Sequence, residues 1–427
     1  MKSLSVVLLT AVCLVACTKE HTLPNLSDVE RMRANLAFTC AHEADRLPAL
    51  DPEADSLFRY GRYLQTSDGP KDYDDIARYF RIAAAHGHYK ANHNVQQLIS
   101  RGRASSPDAR REAVGWAEQL VNQGIPIGYY DIGYYLSSGY GLKQDREMAL
   151  KYIRKAADLG NADAQYYISD LLDHREQSPD IADQMLQCAA EGGHSLAAFE
   201  YGIGLKIFEK YQDALSAYQK GVMLGSIESA HSLGEAFRGP AKGALNFLNL
   251  AIDQERAERY ERIYRFLSDN ESSNPKVPDL DKIVPLPPAK LPPWDGTFEW
   301  ERERAQIPEK PSDELIERLA KEKNLDSSTG LPLLSQGAAI EEKVSLGTTV
   351  RAFEVCPQTG VWRACSPSGY IALNAERTFR KGEKFPLLDV REPRKVAVLD
   401  SILGVRLMTV DGGWRLISYG DPESTTS

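Results

Sequence analysis

Long hydrophobic runs are missing from this 427-residue chain: its one sustained apolar stretch ends within the first 17 residues. That is short of the about 20 apolar residues a spanning helix needs, which excludes a polytopic membrane protein. Positive charge is in deficit too. Lys and Arg number 51 against 60 Asp and Glu, a net charge of −9, so no cationic surface is available to neutralise phosphates and nucleic acid is excluded as a partner. Cysteine is scarce: the six are too few to staple a chain of this length, and none forms a C-x-x-C pair of the zinc or redox kind. Neither H-E-x-x-H, G-x-S-x-G, a P-loop nor G-x-G-x-x-G after a strand occurs, so the expectation is a protein that is not an enzyme and uses no cofactor. What is present, 42% hydrophobic and 26% charged residues, is ordinary globular composition, enough for about two to three domains.

Met1-Lys2 is followed by an apolar stretch from Leu4 to Ala16 and then by Thr18-Lys19-Glu20-His21. A positive start, a short apolar segment and small residues before the polar turn predict a cleaved export signal at residues 1–16. Leu14-Val15-Ala16-Cys17 resembles the bacterial lipobox. The resemblance implies cleavage after Ala16, a diacylglycerol on the Cys17 sulfur and an acylated amine, an anchor held by acyl CH₂ groups worth about 0.8 kcal/mol each. Thr18, where inner-membrane retention favours Asp, implies the outer membrane, facing the periplasm. Residues 17–53 then read as anchor, tether and N-terminal cap, with Ser27-Asp28-Val29-Glu30 a capping box opening a helix that Pro48 stops.

From residue 54 to 267 one pattern recurs six times: a small residue, a large apolar one four positions on, usually Gly or Ser next, and another apolar residue three positions further. It reads Ser56/Tyr60/Gly61/Leu64, Ala91/Val95/Gln96/Ile99, Gly128/Ile132/Gly133/Leu136, Ala164/Ile168/Ser169/Leu172, Ala197/Tyr201/Gly202/Leu205 and Ser229/Leu233/Gly234/Phe237. The steps of 35, 37, 36, 33 and 32 residues are those of two-helix solenoid repeats. Five starts follow, by four residues, a glycine suited to a left-handed helix C-cap: Gly87, Gly124, Gly160, Gly193 and Gly225. A second helix shows in Glu147–Ala157, where Ala149, Leu150, Ile153, Ala156 and Ala157 share a stripe. A glycine inside the first helix costs about 1 kcal/mol against Ala and is reasonable only where helices touch closely.

The stretch from Gly139-Tyr-Gly-Leu-Lys-Gln-Asp-Arg-Glu-Met-Ala-Leu-Lys-Tyr to Ala164 resembles the Sel-one-like repeat, a relative of the tetratricopeptide repeat; residues 54–95 and 181–202 match nearly as well. The second unit departs, with Gln96 and Leu120-Val121, and the sixth decays after Phe237. The resemblance implies a right-handed α-superhelix that binds proteins or peptides without chemistry of its own. The fold class is thus mainly α, an α-solenoid of helical hairpins.

Nine of the 23 Pro fall in residues 268–311, too dense for helix or sheet. Trp294, Phe298 and Trp300 make it an extended strap that docks by its aromatics. Ser312 caps a helix to Asn324 with Leu315, Ile316 and Leu319 inward, and a connector runs to 339. Residues 340–420 read as a small antiparallel β barrel or roll, and 421–427 as a disordered tail. Val405–Val410 and Trp414–Tyr419 around Asp411-Gly412-Gly413 predict one hairpin; Thr348–Val355 and Val361–Cys365 around Pro357–Gly360 predict another; Val396–Leu399 is a further strand. Cys356-Pro-Gln-Thr-Gly-Val-Trp362 and Phe379-Arg-Lys-Gly-Glu-Lys-Phe-Pro386 resemble segments of small β-domain immunity proteins. That resemblance implies neutralisation of a bacterial toxin; similar modules occur in lipoproteins joined to Sel-one-like repeats near type VI secretion phospholipases.

His86, His88 and His93 have a spacing that could ligate a metal, but His88 and His194 both follow a unit's terminal glycine, so the repeat register makes them structural and no metal is expected. Eighteen of the 20 Tyr precede residue 270, and Tyr130, Tyr134, Tyr135, Tyr166 and Tyr167 crowd the first helices of units three and four, where solenoids present their concave face. They read either as partner contacts, Tyr being large and rigid, or as packing between repeats. Trp362 is the competing contact, or the β domain's core aromatic. On the second hairpin's geometry Cys365 would stand about 13 Å from Cys356, against a bridge. Cys188 reads as a buried thiol, Cys40 has no assignment, and whether the two pair is left open. The expectation is a lipoprotein, anchored to the outer membrane through Cys17, that binds a protein toxin and takes no small-molecule substrate; the alternative is a non-catalytic envelope scaffold using the same groove.

Overall fold

Six helical hairpins follow one another from Pro52: α1 (Pro52–Thr66) with α2 (Tyr73–Ala85), α3 (Tyr89–Ser100) with α4 (Ala109–Asn122), α5 (Pro126–Ser138) with α6 (Arg146–Asp158), α7 (Ala162–Asp173) with α8 (Pro179–Glu191), α9 (Ser195–Ile207) with α10 (Tyr211–Met223), and α11 (Ile227–Phe237) with α12 (Gln254–Asp269). The computed structural model describes residues 37–173, 178–333, 344, 346–367, 370–373, 376–392 and 406–419. The expected export segment with Cys17, the expected Ser27–Glu30 capping box, the expected Val396–Leu399 strand and residues 421–427 lie outside them.

Each repeated set of small and apolar residues sits on the first helix of a hairpin. Asp72, Asp108, Asp145 and Asp253 cap second helices by accepting N–H bonds from the first turn, each worth about 1 kcal/mol. The glycines that close α2, α4, α6, α8 and α10 all have φ between 71° and 107°, a region that penalises a side chain. The internal glycines mark close helix contacts: a Cβ on Gly133 would lie 2.6 Å from Ile153 Cγ1 and 3.1 Å from the Ala149 carbonyl. The stripes are buried, as Phe80, Ile132, Ile153 and Leu233 show, each contributing about 1.5–3 kcal/mol. The sixth unit is complete: although its sequence signature fades after Phe237, α12 buries Tyr260 against Phe237, rings stacked at 5.7 Å.

Two expectations for the flanking segments need correction. The helix expected to run to Pro48 is absent from residues 37–51, which hold only a single 3₁₀ turn, Glu43–Asp45; side chains of the solenoid satisfy this backbone instead, as described below. The Pro-rich strap is not free of helix either. Its Pro-free stretches form α13 (Leu280–Ile283) and α14 (Glu299–Arg304). Its aromatics dock on the solenoid, Phe298 stacking on Phe266 at 3.9 Å with Trp300 edge-on at 5.6 Å. The chain then returns to the first repeat. Arg304 donates to the Thr66 carbonyl at the end of α1. Next, α15 (Asp313–Glu322), capped by Ser312, lies on α2 with Ile316 and Leu319 buried and the His86 Nε2–H donating to the Leu319 carbonyl at 2.9 Å. Arg81, 2% exposed, ties α2 to Glu112 at 2.7 Å and to the Ser105 and Thr329 carbonyls.

Among the described residues the C-terminal region has seven short strands: β1 (Thr349–Arg351), β2 (Gly360–Cys365), β3 (Ile371–Ala372), β4 (Glu376–Phe379), β5 (Leu388–Glu392), β6 (Arg406–Val410) and β7 (Gly413–Tyr419). They form two antiparallel sheets, ordered β1-β7-β2-β4 and β3-β5-β6, and no closed barrel among the described residues. Neither expected hairpin forms. β6 pairs with β5 and β7 with β1 and β2, because Asp411-Gly412 carries the chain from one sheet to the other; Gly412 packs on Leu388 and the Cys365 carbonyl, where a Cβ would clash. β1 likewise skips β2 and joins β7. Cys356 and Cys365 are both free, one buried before β2 and the other at its far end. The region sits on α6 through Tyr152, whose hydroxyl donates to the Ile417 carbonyl at 2.6 Å, and through Arg415 paired with Asp145 at 2.7 Å.

Candidate functional site

The first helices of five hairpins line a common groove. One cavity of about 840 Å³ is walled by Phe58 and Arg62 of α1, Tyr89 and His93 of α3, Ile127 of α5 and the starts of α7 and α9. A neighbouring cavity of about 560 Å³ shares His93, Ile127 and Asp163 and adds Arg101, Tyr130, Asp131, Tyr134 and Tyr140.

The candidate tyrosines divide by their helical position. Tyr134 and Tyr167 point outward, 62% and 41% exposed. Tyr130 is half-buried on the groove wall, and burial, with Asp163 and Asp131 nearby, pushes its hydroxyl up to about 12, so it is a neutral donor at physiological pH. Tyr166 packs between repeats, its ring stacked on His194 at 4.2 Å and its hydroxyl donating to Glu200 at 3.0 Å. Tyr135 is corrected to a core residue: it is 4% exposed and its hydroxyl donates to Gln96 Oε1 at 3.0 Å, which explains the Gln that breaks the repeat pattern there.

Trp362 is corrected in the same way. It is fully buried, edge-on to Phe385 at 4.8 Å, and its indole N–H and the Cys356 thiol both donate to the Gln358 carbonyl. Thr359 accepts from the Lys381 N–H, and Gly360 pairs with Phe379. The two motifs of the β region are therefore one core constellation, closed by Trp414, whose indole donates to the Pro386 carbonyl.

The histidines separate by role. His88 and His194 are helix N-caps, each ring Nδ1 accepting at 3.0 Å, from Ala91 N–H and Ala197 N–H; His86 faces α15. His93 faces the groove, 3.1 Å from Asp131. Burial disfavours its charged form, but Asp131, with Asp163 and Glu43, outweighs that and holds the imidazole above its usual pKa.

A segment of the chain itself occupies part of this groove. Cys40 is disulfide-bonded to Cys188 of α8, so Cys188 is no free thiol. Beyond it the Ala41 carbonyl accepts from Gln165 Nε2 at 2.9 Å, the Glu43 N–H donates to the Gly160 carbonyl at 2.9 Å, and the Glu43 carboxylate accepts from the Ile127 N–H at the start of α5 and from Asn161 Nδ2. Burial raises the Glu43 carboxyl despite those two donors, while the N-terminus of α5 favours its charge. His42 lies 3.9 Å from the Cys40 sulfur, but sulfurs joined to each other offer no thiolate, so this cluster is a covalent pin, not a metal site. Sequence reasoning missed Glu43, Asn161 and Gln165. The available signal was Asn161, which stands where units two, five and six place His88, His194 and Ser226: it caps α7 through its oxygen, accepting from the Ala164 N–H, and has an amide left to donate.

Family models match in two places. One described as the Sel1 repeat matches residues 54–88 and 126–161, the hairpins α1–α2 and α5–α6. One described as a domain of unknown function, DUF6396, matches residues 229–333, from α11 through the strap to just past α15. DAP3-binding cell death enhancer 1 of Mus musculus is 28% identical over 181 residues, covering 40% of this chain and 35% of that protein, and the Rattus norvegicus protein matches over the same share. The chain thus spans about a third of the length of the curated relatives it matches. Among solved structures, the immunity protein Pa5087 from Pseudomonas aeruginosa has 28% identity and a TM-score of 0.47 over 59% of this chain and 95% of its own. The immunity protein PA5088 from the same organism has 26% identity and a TM-score of 0.48 over 59% and 94%. Two of the six hairpins, α1–α2 and α5–α6, are thus Sel1 repeats.

Proposed function

We propose that the chain is an immunity protein of the periplasm, held at the outer membrane by a lipid on Cys17, that binds an antibacterial toxin and blocks its active site without turnover. The toxin class we propose is a phospholipase effector of type VI secretion. The observation that carries the protein-binding reading is the groove: Tyr134 stands exposed on its wall beside Tyr130, and Tyr167, exposed on the next hairpin, lies near Tyr130. Rigid aromatics with a polar tip, at the centre of a concave surface, supply contact area at small entropic cost. Immunity, the role that names Pa5087 and PA5088, is proposed here on this groove and on the likeness of the Cys356–Trp362 and Phe379–Pro386 segments to immunity proteins. Those segments now read as the packing signature of the β region and not as its contact surface.

The test is a deletion strain placed in contact with toxin-armed sister cells. Intoxication, rescued by the wild-type chain and not by Tyr134→Ala with Tyr167→Ala, supports the proposal. In pull-down the double variant is expected to bind the toxin at least about tenfold more weakly, about 1.4 kcal/mol, with an unchanged melting temperature because both side chains are exposed. A deletion strain that survives contact overturns immunity and leaves the scaffold reading. Unchanged labelling with a fatty-acid analogue in Cys17→Ser overturns the anchor.

A further inference from the structure

Arginines drawn into this fold are given a carboxylate. Arg81 meets Glu112, Arg256 meets Asp253, Arg259 meets Glu255 and Arg415 meets Asp145. Two half-buried arginines break that pattern, and both face one cavity. It has a volume of about 640 Å³ and lies between α1 and the strap, walled by Phe58, Arg62 and Tyr63 on one side and by Trp300, Arg304 and Ile307 on the other.

Arg62 donates through Nη1 alone, to Gln65 Oε1 at 2.5 Å and Asn94 Oδ1 at 3.3 Å, and Arg304 through Nη2 alone, to the Thr66 carbonyl. None of these acceptors is ionised. The end of α1 accounts for one nitrogen of Arg304, whereas a guanidinium has five N–H donors. Among the described residues no carboxylate pairs with either group: Arg59 takes Asp55 at 2.7 Å, and Glu303, the cavity's own carboxylate, stands exposed and pairs with neither. Burial, and then the positive charge of Arg304, hold the Arg62 guanidinium below its ordinary pKa, a cost that a bound anion offsets. Arg304 is also fixed in orientation. Its guanidinium lies over the Trp300 ring, 5.1 Å from the centroid, and Trp300 is itself edge-on to Phe266. A fork held by stacking and tied at one nitrogen presents its other N–H groups in set directions, the arrangement that matches a planar carboxylate.

We infer that this cavity receives an acidic side chain, Asp or Glu, from an extended segment of the protein partner, its carboxylate neutralising the Arg62 and Arg304 guanidinium groups. A segment of protein is favoured over a free anion because the cavity continues the groove: Phe58, Arg62 and Asn274 line both. A chain lying along the first helices therefore reaches Arg62 without leaving the surface. The inference rests on the protein-binding reading of the groove and is independent of the toxin's identity.

The experiment uses the chain from Thr18 onward, which keeps the whole described fold, and two fluorescein-labelled peptides, hexaglutamate and hexalysine, read by fluorescence anisotropy. Saturable binding of hexaglutamate alone is expected, weakening as salt is raised. Arg62→Gln should weaken it at least about tenfold, and Arg62→Lys, which keeps the charge and loses the fork, several-fold. Arg265→Gln, which removes a positive charge from α12 outside the cavity, should leave it unchanged. Melting temperatures are taken for each variant, and if Arg62→Gln unfolds, Arg62→Lys decides. Absence of wild-type binding, or wild-type affinity in the folded Arg62 variant, overturns the inference. So does displacement of hexaglutamate by an equal concentration of inorganic phosphate, which would assign the cavity to a small anion. No toxin enters this measurement, so survival of the deletion strain, which overturns immunity, leaves a positive peptide result standing, and a negative peptide result leaves immunity standing.

Discussion

Replacing Cys40 and Cys188 by Ser removes the pin that holds the N-terminal segment in the groove. The bridge spans 148 residues. In the chain-entropy account, closing a loop of that length restricts the unfolded chain by about 5 kcal/mol, and measured effects are typically about 2–4. In the folded state little else changes, because the Glu43 carboxylate keeps its donors at Ile127 and Asn161 and the Ala41 carbonyl keeps Gln165. We therefore expect Cys40→Ser with Cys188→Ser to lower the stability of the repeat region by about 2–4 kcal/mol, read as a lower urea midpoint at constant slope. Reduction of the wild type should reproduce that midpoint. The chemical check is a thiol titration of the chain from Thr18: without reductant, the denatured protein should show only Cys356 and Cys365 reactive, and all four cysteines after reduction. Four reactive thiols before reduction, or a midpoint unmoved by the double substitution, would refute the reasoning.

Tyr135→Phe keeps the ring and removes the donor to Gln96, leaving a buried amide oxygen short of a partner; a loss of about 1–3 kcal/mol is expected on thermal or urea unfolding. Gly133→Ala should cost about 1–3 kcal/mol by pushing α6 from α5, since its new methyl meets Ile153 and the Ala149 carbonyl, and Ile153→Val should recover part of that loss. His93→Asn tests the raised imidazole. A folded pKa above the unfolded value near 6.5 contributes stability that is complete below that value and is lost as pH rises through the folded pKa. The wild type's melting-temperature advantage over His93→Asn should therefore be largest near about pH 6 and shrink as the pH is raised through the folded pKa. An advantage constant over that range would show that Asp131 does not hold the charged form.

The repeat was legible because its signal is local and redundant: Gly87, Gly124, Gly160, Gly193 and Gly225 each mark a helix end by a backbone requirement that no distant contact alters. His88 and His194 were readable as structural for the same reason, being caps at a fixed register. The β pairings were not legible. Asp411-Gly412-Gly413 has hairpin composition, yet which sheet each flanking strand joins is decided by partners such as Leu388 and Thr349, remote in sequence. Tyr134 and Tyr135 show the same limit on a smaller scale. Adjacent positions on one helix differ by a third of a turn, and only the place of Gln96 on the neighbouring helix decides that Tyr135 is the buried one. Glu43 needed Asn161 and Ile127 to be brought together from two other repeats, which no window of the sequence contains.

The return of the strap to α1, together with the disulfide from Cys40 to α8, alters what kind of array this is. An open solenoid can gain or lose a whole repeat by duplication or deletion, because each unit touches only its neighbours. Here Arg304 must reach Thr66, α15 must reach α2, and Cys40 must reach Cys188, three ties whose spans are set by the rise and curvature of the repeats lying between. One unit more or fewer between α1 and α8 would put all three out of register, and one beyond α8 would still displace the two strap ties. The ties therefore couple the number of repeats to the length of the strap, so that a repeat cannot be added or removed here without a matching change in the segment that returns to α1.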